Sequence, residues 1–393
     1  MSDNLRRYCA IWNELRQLCP SEPTGNHARH LKTLALMVSG IIGGRKTNLP
    51  SIATNSPGGP IGGKRESRTK RFERFVRNQS ITAETYYLPY ARALLASLPD
   101  PLVLVMDASE VGRGCLALMV GVVFAKRALP LCYLVVRRPS GVQKGDLSEE
   151  THLRLLREVH TLLTRVERGQ QRGQEPRHKR TVVFLGDGEF DGVNLLGALA
   201  GFGWHFVCRT CNNMHVNEGG EAFNLRWLNV EPGDCIELPD VFFTKRGFGP
   251  VLVGAVWERG AKEPLFLVTN LELLEEACHF YRMRFSIETL FSDQKSRGFY
   301  LSHSHLSDPN RLARLMMACC LAYLWMVFLG AYVKEQGWLP LIHRTNRCDL
   351  SLFQIGLLWL EHCLDAGTSI PVVLTAPSNR PRDQAIILSN SVR

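Results

Sequence analysis

At 393 residues, 45% hydrophobic and 21% charged, the chain has the composition of a folded protein of two or three domains, which excludes a disordered or fibrous one. Its net charge of +10 is uneven, because residues 1–100 hold 15 Lys and Arg against 7 Asp and Glu. A localised basic excess points to a polyanionic partner, most commonly nucleic acid, whereas charge kept for solubility needs no clustering.

Residues 1–95 read as a helical DNA-binding domain. Leu31 to Ile42 is an apolar helical pattern closed by Gly43-Gly44, Pro50 to Thr54 is a short second helix, and Asn55 to Gly63 is a Gly/Pro/Ser loop. Glu66 to Arg77 then sets Arg68, Lys70, Arg71, Arg74 and Arg77 around Phe72, Phe75 and Val76. The apolar residues recur at helical spacing, so one face packs while the bases face outward. This resembles the third helix of a small helical DNA-binding unit, although a solvated basic helix has the same pattern.

From Pro101 the pattern changes. Strands are expected over Leu102–Asp107, Cys115–Ala125 and Leu131–Arg137, then a helix over Leu147–Arg168 and a polar linker over Gly169–Arg180. A fourth strand over Thr181–Gly186, a helix over Asp191–Leu199 and a fifth strand over Trp204–Arg209 follow. Three strands, then helix, strand, helix, strand, is the order of a ribonuclease-H-like α/β core, assigned to residues 96–209 and 269–340. Residues 210–268 carry turn signals between short strands, including Val251–Trp257 and Leu265–Thr269, and read as a β-rich insertion outside the core alternation. Leu315 to Val333 runs 19 residues without a charge, long enough to span a bilayer. With Cys319, Cys320, Tyr323 and Gly330 in it and no second such segment, it is expected to be a core helix under the sheet, with no membrane involved. Residues 341–393 are expected to be a C-terminal helical segment and tail, loose and polar over 380–393.

The 12 cysteines have no framework spacing and no secretory signal precedes them, so reduced thiols in a cytoplasmic protein are expected. Cys208-Arg-Thr-Cys211, with Cys235, Cys278 and His215 elsewhere, allows a zinc site in principle but lacks a second ligand pair at the usual spacing.

Asp107 ends the first strand (VLVMDAS) and Asp187 the fourth (VVFLGDGEF), at the carboxyl ends where an open sheet presents ligands. A strand-end Asp alone is often only a turn former. The stretch YRMRFSIETLFSDQKSRGF, Tyr281 to Phe299, adds a third carboxylate. On a continuous helix, Arg284, Glu288 and Lys295 lie at about 300°, 340° and 320° from Tyr281, on one stripe roughly 21 Å long. Met283, Ile287, Leu290 and Phe291 form an adjoining apolar stripe. An amphipathic helix with an Arg284–Glu288 ion pair accounts for the spacing by itself. Three converging carboxylates, however, repel unless cations hold them. Their hard oxygens suit two Mg2+ (or Mn2+) ions about 4 Å apart, which clamp the attacking and leaving oxygens of a phosphodiester. Arg209, ending the fifth strand, is a further phosphate-binding candidate.

Tyr281-x2-Arg284-x3-Glu288-x6-Lys295 resembles the signature of the insertion-sequence-four family of bacterial DDE transposases. Asp107 and Asp187 match its two catalytic aspartates, residues 210–268 its strand insertion, and Gly298-Phe299, His305 and the apolar helix its following sequence. Gly188-Glu189 departs from the expected basic–glycine pair. The resemblance, over roughly residues 30–340, implies catalysis and metal binding by Asp107, Asp187 and Glu288. It implies DNA-phosphate binding by Tyr281, Arg284 and Lys295. It further implies cut-and-paste transposition, with cleavage at terminal inverted repeats of double-stranded DNA and strand transfer into target DNA, by a homodimer on paired ends associated with the bacterial nucleoid. A domesticated endonuclease of the same fold and a non-catalytic DNA-binding protein are the alternatives. Intact carboxylates at all three positions argue against the second.

Overall fold

The computed structural model describes residues 1–138, 147–171, 180–344 and 347–376. The tail expected over 380–393, and most of the linker expected over 169–180, lie outside them.

The N-terminal portion is helical: α1 (Asp3–Gln17), α2 (Gly25–Gly44), α3 (Leu49–Thr54), α4 (Gly59–Gly62), α5 (Arg65–Arg77), α6 (Ala83–Tyr86) and α7 (Leu88–Ser97). Asn48 caps α3 by accepting from the Ser51 amide, and Thr82 caps α6 likewise from Thr85. On α5 the apolar face is buried as expected, but Arg68 does not face outward. It is 7% exposed, and its guanidinium donates to the carbonyls of Ala53 and Gly63. Burial and the neighbouring Arg71 push its pKa down. Lys70, Arg74 and Arg77 are exposed and Arg71 is half-buried.

The core sheet begins with β1 (Leu102–Gly112), β2 (Cys115–Phe124) and β3 (Arg127–Arg137), an antiparallel meander. Ala125 and Lys126 both have positive φ (46° and 64°), the conformation of a two-residue primed hairpin turn. Neither residue advertises such a turn, which is why β3 starts earlier than the sequence suggests. Then follow α8 (Glu149–Gln171), β4 (Val182–Gly186), α9 (Val193–Gly201) and β5 (His205–Thr210). β4 runs parallel to β1 and β5 parallel to β4, giving the order β3-β2-β1-β4-β5 of a ribonuclease-H-like core.

The stretch expected to stand apart instead prolongs this sheet. β6 (His215–Glu218), β7 (Glu221–Asn224), β8 (Cys235–Phe243), β9 (Phe248–Val256) and β10 (Leu265–Thr269) continue it as β5-β10-β9-β8-β6-β7, ten strands among the described residues. β10 pairs antiparallel with β5, so the backbone groups on β5's open edge are paired rather than left free.

The remaining helices are α10 (Leu274–Tyr281), α11 (Ser286–Gln294), α12 (Pro309–Glu335) and α13 (Leu352–Asp365). Among the described residues α12 is the one helix long and apolar enough to cross a membrane, yet 89% of its apolar window is buried inside the protein. A helix that is apolar all round needs cover on every side. α12 finds it in β3, α2, α5 and α13. A Cβ on Gly356 of α13 would lie 1.9 Å from the Met326 carbonyl oxygen of α12, so this crossing requires glycine. Arg314 of α12 donates to the carbonyls of Val76 and Ile81 at 3.2 and 3.0 Å, tying it to the end of α5. The N-terminal helices therefore share one hydrophobic core with the sheet rather than standing as a unit of their own.

Candidate active site

β1 does not end at Asp107, which lies mid-strand because the antiparallel pairing with β2 carries β1 on to Gly112. The parallel pairing with β4 stops sooner, at Val105 opposite Leu185. Asp107 and Asp187 are each two residues past that pair, Asp107 still within β1 and Asp187 just after the end of β4. Asp107 is 8% exposed and one carboxylate oxygen accepts from the Ala108 amide at 2.7 Å. Asp187 caps the 3-10 turn Gly188–Phe190 by accepting from the Gly188 amide at 2.8 Å. A Cβ on Gly186 would come 2.7 Å from the Phe190 Cβ and 3.0 Å from the Cys208 sulfur, so glycine there lets the turn close tightly under Asp187. Glu189 is half-buried in the same turn.

The expected continuous helix over Tyr281–Phe299 is broken. α10 ends at Tyr281, Arg282–Phe285 form a 3-10 turn packed on β4, and α11 packs on β1 and β3 and ends at Gln294. Lys295 lies past the helix end with φ −94° and ψ −111°. The stripe survives only in part, since the tighter turn redirects the side chains. Lys295 is placed by another contact: its ammonium donates to the Ser109 hydroxyl at 2.5 Å. Ser109 is two residues beyond Asp107, on the same face of β1.

Arg284 is the hub. Its guanidinium is 2.7 Å from a Glu288 carboxylate oxygen and 3.4 Å from one of Asp187. Its side chain is 6% exposed, against 41% for Asp187 and 51% for Glu288. The two carboxylates thus face outward with the cation behind them. The guanidinium carbon also lies 4.6 Å from the Phe285 ring centroid and 6.0 Å from that of Tyr281. Burial opposes the charge on Arg284, but Asp187, Tyr281 and Glu288 outweigh it and raise its pKa. Tyr281 is buried, which pushes its hydroxyl pKa up against the opposing pull of Arg284. Neither Tyr281 nor Arg284 offers the exposed phosphate contact that the spacing suggested. Arg209 is more open, 41% exposed, and pairs with Glu263 at 2.6 Å.

Among the described residues no group of three or more His, Cys, Asp and Glu is gathered closely enough to hold a metal ion. For the zinc idea the reason is placement: Cys208 is buried in β5 while Cys211 and Cys235 are exposed. Of the three carboxylates, Asp187 and Glu288 are the two that meet, each on the Arg284 guanidinium. The donor set still fits a hard divalent cation. It is all carboxylate oxygen, and Asp187 and Glu288 already share one positive partner.

A second buried pair underlies α11. Arg127 of β3 bonds Asp293 at 3.1 Å, with side chains 18% and 6% exposed. Burial pushes the Asp293 carboxyl up to about 6 despite Arg127 and Arg297. Sequence reasoning missed this pair and Ser109. Period-two alternation from Asp107 points to Ser109, whereas nothing local links residues 127 and 293.

Residues 157–325 match the family model of the transposase DDE domain. That stretch includes Asp187, Tyr281, Arg284, Glu288 and Lys295, and begins after Asp107. The chain is also similar to the crystal structure of human ENDOV, at 13% identity over 61% of this chain and 86% of that one, with a TM-score of 0.22. No curated protein matches. The domain match supports a transposase-like DDE domain over that stretch, on a mixed α/β fold built around the ribonuclease-H-like sheet.

Proposed function

We propose that the chain is a cut-and-paste transposase of the insertion-sequence-four kind, cleaving DNA at transposon ends and joining the freed 3′-OH to target DNA. The observation that carries this reading is Arg284 joined to both Asp187 and Glu288, with Asp107 and Asp187 each two residues past the last β1–β4 pair. Asp107, Asp187 and Glu288 would hold two Mg2+ or Mn2+ ions, which supply Lewis-acid stabilisation to the oxygens exchanged at phosphorus.

The chain's own residues do the rest. Arg284 orients the Asp187 and Glu288 carboxylates, and Phe285 and Tyr281 hold Arg284 between them. Lys295, anchored on Ser109, and Arg209 are the cations with access to the phosphates flanking the reactive bond. Lys70, Arg71, Arg74 and Arg77 bind the duplex away from the cut, and Arg68 is excluded because it is buried against the carbonyls of Ala53 and Gly63. Action as a homodimer on paired inverted repeats belongs to the same reading.

Replacing Asp187 with Ala tests it. Cleavage of DNA carrying the element's ends in Mg2+ should be abolished while DNA affinity stays near wild type, since affinity comes mainly from basic surface. A variant that still cuts at the wild-type rate removes Asp187 from the site and the reading with it.

A further inference from the structure

We propose that the cleft between α2 and α5 binds the phosphate backbone of duplex DNA, so that the N-terminal contact is made by two helices rather than by α5 alone. This rests on the DNA-processing reading above and extends it to Arg29 and Lys32. The cleft has a volume of about 730 Å3. Arg29 and Lys32 of α2 and Arg71 and Arg74 of α5 line it, and no Asp or Glu does.

Four cations without a carboxylate repel one another, and a polyanion relieves that repulsion. The side chains are held for the purpose. The Lys32 ammonium lies 5.6 Å from the Trp12 ring centroid, and the Arg74 Nε donates to the Lys70 carbonyl at 3.3 Å. Tyr8, Leu36 and Phe75 are buried and fix the depth of the cleft. His30 bonds the Tyr86 hydroxyl at 2.9 Å and lies 3.4 Å from the Asn78 amide, bracing α2 against the end of α5. Ser67, exposed in the wall, adds a neutral donor of the kind that phosphates accept.

Two of the bases of α5 reach the cleft. Arg71 and Arg74, one turn apart, line the cleft, whereas Lys70 and Arg77, on the far side of Arg74, do not. A lone phosphate ion needs donors converging on one point. These four are spread along two helices, which suits a run of phosphates along one strand of a duplex.

The test uses the full chain and a labelled duplex, with affinity followed by fluorescence anisotropy across a salt series. Arg29→Ala with Lys32→Ala should weaken binding about tenfold or more at 0.1 M salt and reduce the slope of log affinity against log salt by about two. Both side chains are exposed, so the melting temperature should not move. Arg29→Lys with Lys32→Arg should restore the slope. If wild type binds and cuts DNA while the double alanine variant keeps wild-type affinity and slope, the cleft assignment is overturned and the catalytic reading stands. If wild type neither binds nor cuts duplex DNA, both fall.

Discussion

The Arg284 guanidinium lies 3.4 Å from the Asp187 carboxylate, and this contact joins the 3-10 turn after α10 to the end of β4. Two segments about 100 residues apart in the chain meet through one buried cation. A positioner and a phosphate clamp predict different behaviour for that cation.

Arg284→Gln should leave DNA affinity and its salt slope near wild type, because the side chain is buried, while cleavage falls about a hundredfold or more as the carboxylates lose their alignment. Both carboxylates are half-exposed, so the stability cost should be only about 1 kcal/mol. Arg284→Lys should recover little, since one ammonium cannot span two partners as a fork does. A salt slope reduced by about one would instead mark Arg284 as a direct phosphate contact.

Lys295→Gln should fold normally and lose cleavage by about a hundredfold. Ser109→Ala, which keeps the ammonium but removes this one anchor, should cost about tenfold or less. Equal losses in the two variants would show that the hydroxyl acts on its own account. Single-turnover cleavage rates with a melting curve on each preparation decide the matter.

Asp293 gives a pH signature. Its folded pKa, about 6, lies above the ordinary 3.8, so folding favours the protonated form. Its contribution is greatest below about pH 4 and is lost as pH rises through about 6. Asp293→Asn cannot ionise. Relative to wild type, the variant should gain up to about 3 kcal/mol between pH 4 and 7, whatever constant penalty it carries for Arg127. Denaturant titrations at several pH values read this difference directly. A gap that stays flat with pH would mean that Asp293 does not titrate there.

Gly356→Ala should destabilise the protein by about 1–3 kcal/mol, because the new methyl meets the Met326 carbonyl oxygen rather than a movable side chain. The melting temperature should fall, with cleavage unaffected at temperatures where the variant is folded. An unchanged melting temperature would mean that the α12–α13 crossing is looser than described.

Much of this was readable from the sequence because the signals are local. Buried-type strands, turn residues and the alternation of strand and helix gave the order of the core, though not that β1 runs on past Asp107. What escaped was set by distant partners. Helical period could not show that the chain tightens at Arg282–Phe285, nor that Lys295 leaves the helix and rests on Ser109. Arg68 looked like its neighbours until the carbonyls of Ala53 and Gly63 supplied acceptors for it. The insertion's strands were visible, but not that β10 would use the open edge of β5.

The shared cover of α12 has a consequence for synthesis. The face of α2 between Leu31 and Ile42 leaves the ribosome about 270 residues before its partner on α12. At 5–20 residues per second that is a wait of about 15–55 s. Throughout it the nascent chain carries an apolar helix that α1, α3 and α5 cover but whose α12-facing side stays open, a site for chaperones that hold unfinished chains.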